Sequence, residues 1–206
     1  MKKLIITVLL LVAAAATSFA QLNIGAGYLG ELHTSKLTKN SDVDYYDMHG
    51  AYIGASYNIC FKGESGPGIA PGAYFKFLGD IHDDVFTHHT SVEVPVYFTY
   101  SFNAGSGLLF AYAGPAFNVG ITYKDKWVGH DDSSVELINY YDKDNGTISR
   151  FDLKVGVGLG YAISSFQFNI GWDFGCLNQY RKNFITDNAG SAYRIHSFHA
   201  GVAYMF

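Results

Sequence analysis

The chain has 206 residues, a net charge of -4 and only 16% charged residues, yet it carries 16 Phe, 16 Tyr and 23 Gly. This charge balance leaves no basic stripe for nucleic acid, and beyond the N-terminus no apolar run approaches the roughly 20 residues of a membrane helix. No long segment repeats with helical periodicity; apolar residues recur at every second position, the mark of strands.

The N-terminus reads as an export signal. Lys2 and Lys3 precede an apolar run over residues 4–16, and Ser18 and Ala20 place small residues where a signal peptidase reads. The expected organisation is a signal peptide at 1–20 and one domain at 21–206, the mature chain starting at Gln21. The run is short for a spanning helix, and no cysteine follows it to carry a lipid.

Eight dyad-patterned segments follow. In the first, Ile24, Ala26, Tyr28 and Leu32 oppose Asn23, Gly25, Gly27 and Glu31. The second sets Ala51, Ile53, Ala55, Tyr57 and Ile59 against Gly50, Tyr52, Gly54, Ser56 and Asn58. The third sets Ile69, Ala73, Phe75 and Phe77 against Gly72, Tyr74 and Lys76. The fourth, SVEVPVYFTYSF, carries Val92, Val94, Val96, Phe98, Tyr100 and Phe102 on one face, with Glu93 and Pro95 on the other. The fifth is LFAYAGPAFNVGI over 109–121, whose faces are hard to assign by parity. The sixth opposes Phe151, Leu153, Val155, Val157, Leu159 and Tyr161 to Asp152, Lys154 and three glycines. The seventh opposes Phe166, Phe168, Ile170, Trp172 and Phe174 to Gln167, Asn169, Gly171 and Asp173. The eighth opposes Phe198, Ala200, Val202, Tyr204 and Phe206 to Ser197, His199, Gly201 and Ala203.

Connections alternate in length. Those at 60–67, 103–107 and 164–165 are short; those at 34–46, 80–90, 123–149 and 178–193 are long and polar. An even strand count with short turns on one side and long loops on the other predicts an all-β fold: an eight-stranded antiparallel up-and-down transmembrane β-barrel of the bacterial outer membrane. Apolar faces meet lipid, and Glu31, Lys76, Glu93, Asp152, Lys154 and Asp173 point into a narrow lumen that side chains fill. Buried charges are tolerable only when paired, so these six are expected to form one mixed network with Tyr52, Tyr74 and Tyr97, with Arg194 facing outward. Proline lacks a ladder donor, and a bulge at the loop end of the fourth strand is the expected remedy for Pro95.

Few residues point to chemistry. His82, Asp83, Asp84, His88 and His89 share the expected 80–90 loop, but without fixed spacing they read as a solvated tip rather than a metal site. Asp142, Asp144 and Gly146 mimic the start of a calcium loop, yet Leu153 stands where the bidentate Glu belongs, so a tight turn at Asn145-Gly146 is expected. Ser197 and His199 share an inner face without a recognisable catalytic setting and are expected to be packed lumen residues. Cys60 and Cys176 fall at opposite ends of the barrel, too far apart to bond, and are expected as free thiols. No catalytic, cofactor or metal residue is assigned.

Four stretches carry a resemblance: VEVPVYFTYSF, YAGPAFNVG, RFDLKVGVGLGYAI and the terminal GVAYMF. Together they resemble the Bacteroidetes-type outer-membrane β-barrel domain family, the porin-like or PorT-like barrels. Trp172 stands where that family often has tyrosine. The resemblance implies an integral outer-membrane barrel without a single family activity, and it gives Tyr204 and Phe206 the part of a terminal assembly signal read by the insertion machinery. The expected function is a structural or surface-interaction barrel acting through its external loops. The alternatives are a small-solute channel and, further off, a lipid-modifying enzyme. A secreted lipocalin-like barrel is disfavoured by the loop rhythm. Expected partners are outer-membrane lipid, the insertion machinery and an unidentified ligand or envelope component at the loops, with no nucleic acid.

Overall fold

Strands with an apolar outer face and small residues inside have one way to satisfy every backbone group in lipid, which is to close on themselves. The computed structural model describes residues 20–38, 40–61, 65–82, 84–127, 136–187 and 190–206. The expected signal segment lies outside these apart from Ala20, which opens the first strand. The strands are β1 Ala20–Lys36, β2 Asp44–Cys60, β3 Gly66–His82, β4 Val85–Ala104, β5 Gly107–Trp127, β6 Glu136–Asn139, β7 Phe151–Ile163, β8 Phe166–Gly175 and β9 Ala192–Met205; a short helix, α1, spans Lys182–Asp187. Eight of them form a ring in the order β4-β3-β2-β1-β9-β8-β7-β5, closed by pairing of β4 with β5. The short β6 pairs outside the ring on the far end of β5.

Register fixes the tilt. From Gly30 on β1, partners lead through Phe198, Trp172, Val157 and Ala113 to Phe98, Ile69, Ile59 and back to β1 at Ala20. The circuit returns ten residues lower than it began, from 30 to 20, a stagger that inclines the strands strongly to the barrel axis.

Several sequence expectations are corrected. β4 and β5 run for 20 and 21 residues, about twice what a tilted membrane crossing needs, because pairing continues past the apolar band where both faces turn polar. The expected long loop at 80–90 is instead a tight hairpin, with β3 ending at His82, β4 starting at Val85 and Asp84 at a φ of 65°. Pro95 is therefore deep within its strand. No bulge accompanies it: register with β3 and β5 is the same on both sides, and pairing is merely interrupted between Pro71–Val96 and Tyr74–Glu93, and between Pro95–Ala116 and Phe98–Ala113. Pro71, Pro95 and Pro115 thus share the interruptions, each lacking one donor.

The real bulge is in β5. Thr90 pairs with Thr122 and Ser91 with Gly120, leaving Ile121 unopposed. The extra residue reverses parity. Below it Tyr112, Ala116 and Asn118 are buried inside; above it Tyr123 and Asp125 are. This resolves the faces of the fifth segment. Arg150 pins the bulge, donating to the Gly120 and Ile121 carbonyls (3.2 and 2.7 Å) while its guanidinium lies 4.8 Å from the Tyr141 ring centre.

Losing a charged donor from two backbone carbonyls costs about 1.5–3 kcal/mol, and partial exposure of Arg150 moves the expectation to the lower end. Arg150→Gln should lower the unfolding free energy by about 1.5 kcal/mol in a reversible urea titration of the barrel in lipid vesicles, with the folded form still heat-modifiable on gels.

Candidate functional site

The inner face is built in three levels. At the centre stands Glu31, fully buried on β1. Its Oε1 lies 3.3 Å from Lys154 Nζ and 3.4 Å from Ser197 Oγ; its Oε2 lies 2.9 Å from His89 Nδ1 and 3.5 Å from His33 Nε2. Lys154 also donates to Ser197 Oγ at 2.5 Å. One carboxylate thereby ties β1, β4, β7 and β9 together.

The other expected lumen residues are all buried as well, but they do not join one network. Lys76 and Glu93 form a separate ion pair across β3 and β4. Asp173 accepts from Tyr97 at 2.8 Å and lies 3.2 Å from His199 Nδ1, while His199 Nε2 meets the Tyr112 hydroxyl at 2.8 Å. Asp152 accepts from Gln179 at 2.8 Å. The network thus divides into four groups, because glycine positions admit tyrosine rings between the charges. A Cβ at Gly156 would collide with the Asp173 carboxylate, and one at Gly158 with the Tyr112 ring.

Around and above Glu31 lies an apolar and tyrosine-rich core that sequence reasoning missed. Leu29, Met48, Leu78, Tyr123, Tyr141, Ile148, Tyr180, Tyr193 and Ile195 pack together, and Phe184 and Ile185 of α1 close over them. Three hydroxyls, from Tyr46, Tyr123 and Tyr193, meet in a mutually bonded triangle spanning β2, β5 and β9. His33 bonds Tyr193 at 2.6 Å beneath it. Tyr140 donates to Asp125 at 2.9 Å, and burial raises the Tyr140 hydroxyl pKa above its ordinary value, as it does that of Tyr141.

In the 82–89 stretch His82 and Asp84 are exposed at the hairpin tip as expected and Asp83 lies outside the described residues, but the expectation for His89 is corrected. His89 is fully buried against Glu31 and the Tyr141 hydroxyl (2.9 and 3.1 Å) instead of lying on a solvated tip. No group of metal-ligating side chains able to hold an ion occurs among the described residues. The expected Asn145-Gly146 turn is held by Asp142, whose Oδ1 accepts from the amides of Asn145 and Asp144 (2.8 and 2.9 Å); these bonds lower its carboxyl pKa. Ser197 and His199 are lumen residues engaged by Lys154 and Asp173 respectively. Both cysteines are free thiols at opposite ends of the wall.

Below the charges, toward the short turns, a cavity of about 70 Å³ is lined by Asn23, Asn58, Tyr97, Gln167 and Asn169 among others. It has room for a few waters. Tyr204 and Phe206 face outward at this end, their rings 4.9 Å apart, and the Phe206 amide donates to the Leu22 carbonyl.

A closed eight-stranded ring with an apolar outside and a filled polar inside is a small transmembrane barrel of the bacterial outer membrane. The chain belongs to the outer membrane protein beta-barrel domain family, whose profile matches residues 4–206. Among solved structures it is similar to Ail, the attachment invasion locus protein of Yersinia pestis in complex with the heparin analogue sucrose octasulfate. That match has 13% identity and a TM-score of 0.50, covering 91% of this chain and 99% of that one. It is also similar to Neisserial surface protein A, with 14% identity and a TM-score of 0.51, covering 90% and 97%. Both likenesses are of fold. No curated protein matches the chain in sequence.

Breaking a buried pair strands its partner at about 3–5 kcal/mol, whereas replacing both members with apolar groups is often neutral. Glu31→Leu should therefore destabilise the barrel by about 3–5 kcal/mol in urea titrations, and Glu31→Leu combined with Lys154→Met should recover most of that loss.

Proposed function

We infer that this barrel is a sealed, non-enzymatic scaffold that presents its external crown to ligands or envelope components. The observation that carries the reading is the filled lumen. The Tyr46–Tyr123–Tyr193 triangle and the apolar core under α1 cap the external mouth, and the Glu31–Lys154 group closes the middle. Strand ends that rise beyond the membrane carry exposed apolar side chains, Tyr45, Ile81, Trp127 and Ile138, which suit contact with another molecule. The complex of Ail with a heparin analogue shows that a barrel of similar fold takes a ligand, and supports the reading by analogy.

Within the family, the E-V-P strand, the Y-A-G-P strand and the D-L-K-V-G-V-G-L-G strand support placement among Bacteroidetes-type, PorT-like barrels. The leader pattern supports export with cleavage after Ala20, and the outward aromatic pair Tyr204 and Phe206 supports recognition by the insertion machinery. The channel reading needs an open lumen, against which the filled interior weighs.

Purified barrel in planar lipid bilayers should give no steady conductance; regular porin-sized steps would move the function to a channel. Phe206→Ala should lower the amount inserted in the outer membrane of cells several-fold while leaving the unfolding free energy of refolded protein within about 1 kcal/mol; unchanged insertion would remove Phe206 from that role.

A further inference from the structure

At the external interface the outer wall turns polar in two places: over β4 and β5, where Thr90 and Thr122 bond each other beside His88, and more extensively over β9, β1 and β2. On β9, β1 and β2 the outward positions near the external interface are Arg194 and His196, then Thr34, Leu32 and Gly30, then Asp47 and His49. Their height follows from the register. Leu22, beside Phe206 at the opposite girdle, lies eight residues below Gly30 and twelve below Thr34. At a rise of ~3.4 Å per residue and a tilt near 40°, these rows stand about 21 and 31 Å above that girdle. The lipid-facing apolar band is about 25 Å tall, so the patch straddles the level of lipid headgroups. At comparable heights β3, β5, β7 and β8 present Phe77, Val119, Phe151 and Phe174, all exposed.

The patch has an ordered chemistry. Asp47 Oδ2 lies 2.7 Å from His49 Nε2, and His49 Nδ1 lies 2.6 Å from the Tyr28 hydroxyl, forming a carboxylate–imidazole–phenol chain on the outer wall. Gly30 leaves the phenol uncovered, since a Cβ there would stand 3.3 Å from the Tyr28 oxygen. Two strands away, His196 Nδ1 accepts the Gly175 amide at 3.3 Å, which directs its Nε2 away from the wall's backbone. Arg194 shares that face two residues on and is exposed. Adjacent strands lie ~4.8 Å apart, so the cationic side and the Asp47–His49–Tyr28 side are separated by roughly 10 Å, the span of a sugar.

A bare anion would suit Arg194 and His196 but not the exposed Asp47 carboxylate. A headgroup carrying both a phosphate and hydroxyl donors suits both sides, with phosphate on the guanidinium and sugar hydroxyls on the carboxylate, imidazole and phenol. Acyl chains then descend over Tyr28 and Phe198, whose rings lie 6.4 Å apart. We propose that the outer wall over β9, β1 and β2 is a binding site for the phosphorylated sugar headgroup of an outer-leaflet glycolipid.

The test uses the full barrel in phosphatidylcholine nanodiscs doped with a low mole fraction of bisphosphorylated lipid A or its dephosphorylated form, with retained lipid counted by native mass spectrometry. The unsubstituted chain should retain the bisphosphorylated lipid at least fivefold better. Arg194→Gln with His196→Gln should abolish that preference, and Gly30→Leu, which fills the notch beside Tyr28, should lower retention of both lipids. Equal retention of the two lipids by the unsubstituted chain, or an undiminished preference in the double variant, would overturn the proposal. So would full displacement of lipid A by millimolar inorganic phosphate, which would show a free-anion site. The comparison of lipids on the unsubstituted chain stands even if a variant fails to fold.

Discussion

Everything in this molecule depends on one constraint: inside a membrane no backbone N–H or C=O may go without a partner, because hydrocarbon offers none. Closure of β4 on β5 meets it, and the ten-residue stagger around the ring sets which side chains share a level. Where Pro71, Pro95 and Pro115 remove donors, the register carries straight through. At the prolines the wall accepts missing rungs rather than a shift, since a one-residue slip would turn Glu93 toward lipid and Phe98 inward.

With the outside committed to lipid, the inside must be filled without a conventional apolar core. The chain solves this by level. Ion pairs and tyrosine hydroxyls occupy the external half of the span, where Lys76 meets Glu93 and Lys154 meets Glu31 in a low dielectric. From Leu29 up to the external mouth, where water would otherwise enter, the same lumen is closed by an assembly of leucine, methionine, isoleucine and tyrosine resembling the core of a soluble domain. The bulge at Ile121 joins the two regimes. It lets β5 present Asn118 and Gly120 to the lower lumen and Tyr123 and Asp125 to the upper, so one strand serves both.

This division separates the surfaces open to function. The lumen is filled with buried ionisable groups held by one another and by polar neighbours. The external crown and the outer wall at headgroup level are the faces exposed outside the lumen. In the crown, extended strands and α1 present a shaped surface; on the wall, polar residues over β9, β1 and β2 stand where apolar ones would suffice for spanning.

Period-two alternation by itself determined the eight spanning segments, the faces of all but the fifth, and the inward placement of Glu31, Lys76, Glu93, Asp152, Lys154 and Asp173, because lipid on one side and a narrow lumen on the other leave no freedom in parity. It could not show the strand extensions, where water wets the outside and the lumen has turned to tyrosine and histidine, so no hydrophobic contrast marks them. That is why His89 read as a loop residue although it is buried against Glu31. Nor could parity find the bulge at Ile121, since an unopposed residue is defined only by the partner strand. Which charge meets which was likewise left to the tertiary structure. His33, His89 and Ser197 come from distant parts of the chain, and only ring closure with its stagger brings them to the same carboxylate.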